Sequence, residues 1–176
     1  MSYCAIAPGH PVHESYHATE YGFPSRDETV LFERLCLEIF QAGLSWEIVL
    51  KRRAGMREAL AGFEVDRIAA FTEVDQARLL ADPRIVRNRL KVAAIIENAG
   101  RVQALRESHG GFASWLDAHH PREKPEWVKL FKRSFLFTGG EIVGEFLMSL
   151  DYLPGAHDPE CPVFKKIAAL PLRPGR

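Results

Sequence analysis

Apolar residues recur at three- and four-residue intervals along most of this 176-residue chain, and nowhere do they alternate with period two for long. That periodicity predicts amphipathic helices and an all-α fold. Ser25-Arg26-Asp27-Glu28 carries a capping-box signature, so a helix is expected from there to about Ala42, with Gly43 ending it. Ser45 caps a second helix over about 46–61, with Ile48, Val49, Met56 and Leu60 as its apolar positions. A short helical turn follows Val65-Asp66, and Thr72 with Asp75 opens another helix that ends near Leu80. Pro83 disfavours helix in the residue before it, which makes 81–84 a turn. A long helix covers about 88–108, with Val92, Ile95, Ile96, Ala99, Val102 and Leu105 inward, until Gly110-Gly111 stops it. A short helix over 112–118, one with Pro125 at its first position and one over 141–150 complete the set. Residues 1–24, interrupted by Pro8, Gly9, Pro11, Gly22 and Pro24, read as irregular.

One position breaks the hydrophobic pattern. Leu31, Leu35, Glu38 and Ala42 fall on a single narrow stripe of the first long helix, and Leu37 and Ile39 flank the Glu. An ionised carboxylate on such a face is expensive to desolvate without partners. Glu38 is therefore paired, protonated, or used to hold a ligand. Trp46, just past the Ala-Gly break, offers a flat apolar surface to the same pocket.

Length and composition bound the answer. The chain fits one domain, 1–176, and 47% hydrophobic with 26% charged residues is ordinary for a globular protein. Lys+Arg and Asp+Glu both number 23, which excludes a histone-like positive coat but leaves room for a local basic patch. Neither a signal-peptide core nor an apolar run of membrane-spanning length is visible, and three cysteines make no disulfide framework. A cytoplasmic, monomeric protein with reduced thiols and no membrane contact is expected.

Four further groups of residues can carry chemistry. Cys4 and His17 lie near one end of the chain, His157 and Cys161 near the other. Together they suit tetrahedral Zn2+ with no open position, hence a structural ion tying 1–24 to 152–165. Spacing alone leaves open that these are ordinary buried Cys and His residues. Arg84, Arg87, Arg89 and Lys91 surround a turn between two helices, where backbone N–H groups and a helix start can hold a phosphate. A solvated connection fits the same residues, and the basic clusters at 51–53 and 129–133 read as wet helix faces. Tyr16, Tyr21 and Trp46 can stack on a base or fill a core. His13, His109, His119 and His120 could act as general acids or bases, but with no paired carboxylate at telling spacing they read as surface or loop residues.

In combination these stretches resemble the 3-methyladenine DNA glycosylase I family. The matching runs are Tyr16-His17-Ala-Thr-Glu20-Tyr-Gly22 and Glu38-Ile-Phe-Gln41-Ala-Gly-Leu-Ser-Trp46. Ile85-Val-Arg87-Asn-Arg89-Leu-Lys91-Val, Phe135-Leu-Phe-Thr-Gly139, Cys4 and His157-x3-Cys161 continue them in order along nearly the whole chain. The resemblance implies a helix–hairpin–helix DNA glycosylase fold with its hairpin at about 72–108. It implies excision of N3-methyladenine from alkylated double-stranded DNA in base excision repair. Cys4, His17, His157 and Cys161 would bind one structural zinc per chain. Glu38 would accept hydrogen bonds from the flipped base, Tyr16 and Trp46 would stack on it, and Arg84, Arg87, Arg89 and Lys91 would grip the DNA backbone. The chain departs from the family pattern at three other base-pocket positions: Ile6 and Tyr21 stand where tryptophans are usual, and His13 where a tyrosine is. Two alternatives compete, a glycosylase for another lesion and a non-catalytic binder of damaged DNA. Asp117 is the nearest carboxylate beyond the hairpin that could help water attack.

Overall fold

The computed structural model describes residues 2–171, so Met1 and the last five positions of the expected 1–176 domain lie outside it. Eleven α-helices and one 3-10 turn are found among the described residues, with no strand. They are α1 Tyr3–Ile6, α2 Glu14–Thr19, α3 Glu28–Gln41, α4 Trp46–Ala59, α5 Val65–Ala69, α6 Glu73–Ala81, α7 Arg89–His109, α8 Phe112–His119, α9 Lys124–Ser134, α10 Gly140–Ser149 and α11 Pro162–Ala168. Among the described residues no helix is long and apolar enough to cross a membrane.

The central element is α3. Leu31, Phe32, Leu35, Cys36, Leu37, Ile39 and Phe40 are all fully buried, and Glu33, Arg34 and Glu38 are buried with them, so the helix sits inside the bundle. It contacts α4, α7, α8 and α10, while α5 lies along α7 and α9 along α10. Each buried Leu, Ile or Phe contributes about 1.5–3 kcal/mol relative to exposure, which makes α3 the main source of packing stability. Cys36 belongs to this core, as expected from its place between Leu35 and Leu37.

Helix ends follow the local chemistry closely. Asn88 accepts from the Leu90 and Lys91 amides, and Gly110 closes α7 in a left-handed conformation. Thr72 and Asp75 form the expected capping box. The start of α3 differs slightly: Asp27, not Ser25, is the cap, accepting from the Val30 amide at 3.1 Å. The start of α9 differs too. Glu123 and Glu126 make a reciprocal box, and Pro125 follows Lys124 inside the first turn.

The largest departure is at the two ends of the chain. Residues expected to be irregular form α1 and α2, and α11 follows Cys161. These helices are four to seven residues long, too short to show a periodic stripe. Their order comes from tertiary contact. Val163 and Ile167, one turn apart, bury with Cys161 against Cys4 and Phe23 in a small satellite cluster. Gly22 makes the close approach possible: its φ is +82°, and a Cβ there would lie 2.9 Å from Ile167 and 3.1 Å from His157.

Candidate functional site

A cavity of about 860 Å3 opens between α1, α2, the α3–α4 junction and the start of α10. Its volume is in the range of small-molecule sites. Tyr16 and Tyr21 come from α2 and the turn after it, Glu38 from α3, Trp46 from the first turn of α4. Exposed Ile6 and His13, which is buried and not a surface residue, line it as well, so every residue expected to touch a base lines this one cavity.

Glu38 is only 5% exposed. Among the described residues no side chain hydrogen-bonds its carboxyl, which faces the cavity. Burial pushes its pKa well up, the charge of Glu145 pushes it further, and Arg34 opposes both. Arg34 is itself buried and donates through Nη1 to the carbonyls of Ser149 and Phe23.

The aromatic wall has a definite geometry. Tyr16 and Trp46 meet edge-on, with centroids 5.2 Å apart and planes at 60°. A planar ring held between two others needs them about 7 Å apart and parallel. The two rings therefore cannot hold a planar group between them, and leave only their corner open to one from the cavity side. Arg53 sits 6.0 Å from the Tyr16 ring and fixes it from behind. Its guanidinium binds both oxygens of Glu20 at 2.7 Å and donates from Nε to Glu33 at 2.9 Å, while Arg57 takes the other Glu33 oxygen at 2.5 Å. The basic run 51–53, expected to be a wet helix face, thus contributes one half-buried member that locks α2 to α3 and α4.

Two wall residues escaped the sequence reading. Tyr3 packs edge-on against Tyr21 and His17 and hydrogen-bonds His13 Nδ1 at 3.2 Å. Burial raises its hydroxyl pKa to about 12. Glu145, on α10, accepts the Tyr21 hydroxyl proton at 3.0 Å and faces the same cavity as Glu38. The signal for it was present: Glu145 interrupts Ile142, Val143, Phe146 and Leu147 just as Glu38 interrupts α3.

Beneath the cavity, Cys4, His17, His157 and Cys161 bring four ligand atoms within 4.8 Å of one another. Cys4 Sγ lies 3.4 Å from His17 Nε2 and from His157 Nδ1, and Cys161 Sγ 3.8 Å from the same two nitrogens. The S···N edge of a tetrahedral Cys2His2 zinc site is about 3.6 Å, from bond lengths of about 2.3 and 2.05 Å. His157 Nε2 donates to the Tyr21 carbonyl at 2.6 Å, which leaves Nδ1 free to ligate and ties the cluster to the pocket wall. The donor set and spacing fit a closed metal site.

The turn between α6 and α7 spreads its basic residues over three roles. Arg87 and Arg89 are exposed, with no ion pair among the described residues. Arg84 is exposed but bound to Asp82 and Glu58, each at 2.7 Å. Lys91 departs from the expected DNA contact. It is 4% exposed, and its ammonium donates to the carbonyls of Phe40 and Ala42 at 2.9 and 2.5 Å, closing the end of α3. An ammonium turned inward to satisfy helix carbonyls is not available to a phosphate. Asp117 is also engaged elsewhere, by the Tyr152 hydroxyl at 2.7 Å and by Arg26, and does not line the cavity.

Comparison with known proteins places these features in a context. Residues 6–133 match the family model described as methyladenine glycosylase. The chain is 43% identical over 168 residues to the DNA-3-methyladenine glycosylase 1 of Escherichia coli K12, covering 85% of this chain and 90% of that one. It is 32% identical over 170 residues to the DNA-3-methyladenine glycosylase of Haemophilus influenzae, covering 86% and 91%. Among solved structures, it resembles 3-methyladenine DNA glycosylase I from Staphylococcus aureus with a TM-score of 0.82 at 30% identity, over 93% of this chain and 96% of that one. A 3-methyladenine DNA glycosylase I in complex with 3-methyladenine gives the same score and identity, over 93% and 97%.

Proposed function

The chain belongs to the methyladenine glycosylase family, and on that premise we propose that Glu38 reads N3-methyladenine flipped out of alkylated duplex DNA while the N-glycosidic bond is hydrolysed, the opening step of base excision repair. The observation that carries this is the Glu38 carboxyl. It is buried, faces a cavity walled by Tyr16, Tyr21 and Trp46, and takes no side-chain hydrogen bond among the described residues.

A base stacked in duplex cannot be reached, so the nucleotide is extruded into the cavity. N3-methylation leaves adenine cationic and its glycosidic bond weak. Glu38, ionised against this cation, accepts an N–H from the exocyclic amine. The positive charge offsets the cost of burying the carboxylate. The faces of Tyr16 and Trp46 add stacking and cation–π attraction. A normal base lacks the charge and leaves Glu38 uncompensated, which is how the site discriminates. Water then adds at C1′ and the base leaves with the bonding pair. Asp117, held by Arg26 and Tyr152, takes no part.

Zinc is the ion we assign to Cys4, His17, His157 and Cys161. It would bind the chain ends together beneath the pocket and leave no position for substrate. We assign the hairpin expected at about 72–108, carried by α6 and α7, to the DNA backbone, with Arg87 and Arg89 as its phosphate contacts.

The test is incubation of the protein with DNA treated with a methylating agent, followed by chromatography of the free bases. Release of 3-methyladenine is expected. Intact binding to abasic-site DNA with no base release would instead identify a non-catalytic binder.

A further inference from the structure

The pocket holds a second carboxylate that recognition of 3-methyladenine does not require. Glu145 reaches the cavity from α10, a helix packed against the one that carries Glu38. Tyr21 donates its hydroxyl proton to Glu145 Oε2 at 3.0 Å, so that oxygen is held in place while the carboxylate remains an acceptor. No basic side chain pairs with it among the described residues. Two acceptor groups on different helices therefore face one ligand space of about 860 Å3.

The hydrogen-bonding edges of the alkylated purines decide what such a pair prefers. Flipped 3-methyladenine presents N–H donors from one atom, its exocyclic amine; N1 and N7 are acceptors and face a carboxylate unfavourably. An N7-alkylated guanine is also cationic, and its N7 substituent also labilises the glycosidic bond. It presents donors from two neighbouring atoms, N1–H and the exocyclic amine. Two carboxylates satisfy it better than one, and an acceptor left facing another acceptor is penalised.

We propose that Glu145, oriented by Tyr21, is a second base-reading residue that extends the pocket to cationic N7-alkylated guanine. This rests on the glycosylase reading above and deepens it. The reaction is the same hydrolysis. Water adds to C1′, the C1′–N9 bond breaks with its electron pair passing to N9, the cationic base leaves neutral, and the surplus proton of water goes to solvent.

The experiment uses one DNA sample, methylated so that it carries both 7-methylguanine and 3-methyladenine, digested with wild-type protein, with Glu145→Gln and without protein. The wild type is expected to release both bases above the no-protein control. The Glu145→Gln variant is expected to lower the ratio of released 7-methylguanine to 3-methyladenine by about tenfold or more. Because both bases come from one digest, a mere loss of folded protein lowers both and leaves the ratio unmoved. Release of 3-methyladenine alone by the wild type overturns the inference while leaving the glycosylase reading standing. A ratio unchanged by Glu145→Gln overturns the assignment of Glu145. Release of neither base removes the glycosylase reading and this inference with it.

Discussion

Arg34 stands one turn before Glu38 on α3, and its guanidinium opposes the pull of burial and of Glu145 on that carboxyl. The two are set into the buried helix at the centre of the molecule, and neither is exposed by more than 5%. Glu38 is thus kept dry and without an ion-pair partner among the described residues, ready for a ligand that brings its own positive charge.

This arrangement costs stability in a pH-dependent way. The folded-state pKa of Glu38 lies above its unfolded value. Its contribution is fully favourable below the unfolded pKa, where the group is protonated in both states, and is lost as pH rises through the folded pKa. Glu38→Gln removes the titration. The melting temperature of the variant is expected to exceed that of the wild type by a margin that grows between pH 5 and pH 8. Thermal unfolding across that range checks it, and a margin that shrinks with rising pH would show Glu38 stabilised as the anion.

Metal content tests the cluster beneath the pocket. Protein purified without added zinc is expected to carry about one ion per chain, and Cys161→Ser to lose it together with at least ~3 kcal/mol of stability. Elemental analysis with denaturant unfolding reads both. Metal-free protein of undiminished stability would make these residues an ordinary buried cluster.

Arg53 bridges Glu20 and Glu33, and Glu33 has almost no contact with solvent. Removing the cation leaves Glu20 unpaired and Glu33 with Arg57 alone, so Arg53→Ala is expected to cost up to about 3 kcal/mol. Tyr16 also loses the guanidinium beside its ring. Urea unfolding of the variant decides whether the network holds α2 in place.

The hairpin separates two kinds of basic residue. Arg87→Ala and Arg89→Ala are each expected to reduce the salt slope of DNA affinity by about one, the effect of one lost phosphate contact. Lys91→Met is expected to leave that slope unchanged and to lower the melting temperature, because the Lys91 ammonium serves the carbonyls of Phe40 and Ala42. Binding titrations at several salt concentrations distinguish the two.

Much of this architecture is written locally. The caps at Ser45, Thr72 and Asn88, the stop at Gly110 and the long apolar stripes set the bounds of α4, α6 and α7 within a few residues. Glu38 was legible because it violates an otherwise apolar stripe, and the same logic applies to Glu145. What stayed hidden depends on contacts distant in sequence. The short helices α1, α2 and α11 meet where Cys4, His17, His157 and Cys161 gather, a meeting of chain ends that no local pattern announces. The inward turn of Lys91 is invisible in a run that reads as uniformly basic, since only the fold shows that the open end of α3 lies beneath it.

Everything proposed for the pocket turns on Glu38 reading the cationic base. Single-turnover release of 3-methyladenine by wild type and by Glu38→Gln, at equal folded concentration, tests it most directly. Loss of a charge-assisted hydrogen bond worth about 1.5–3 kcal/mol predicts a fall of roughly 10- to 150-fold. Release by Glu38→Gln at the wild-type rate would contradict the account and remove Glu38 from base recognition.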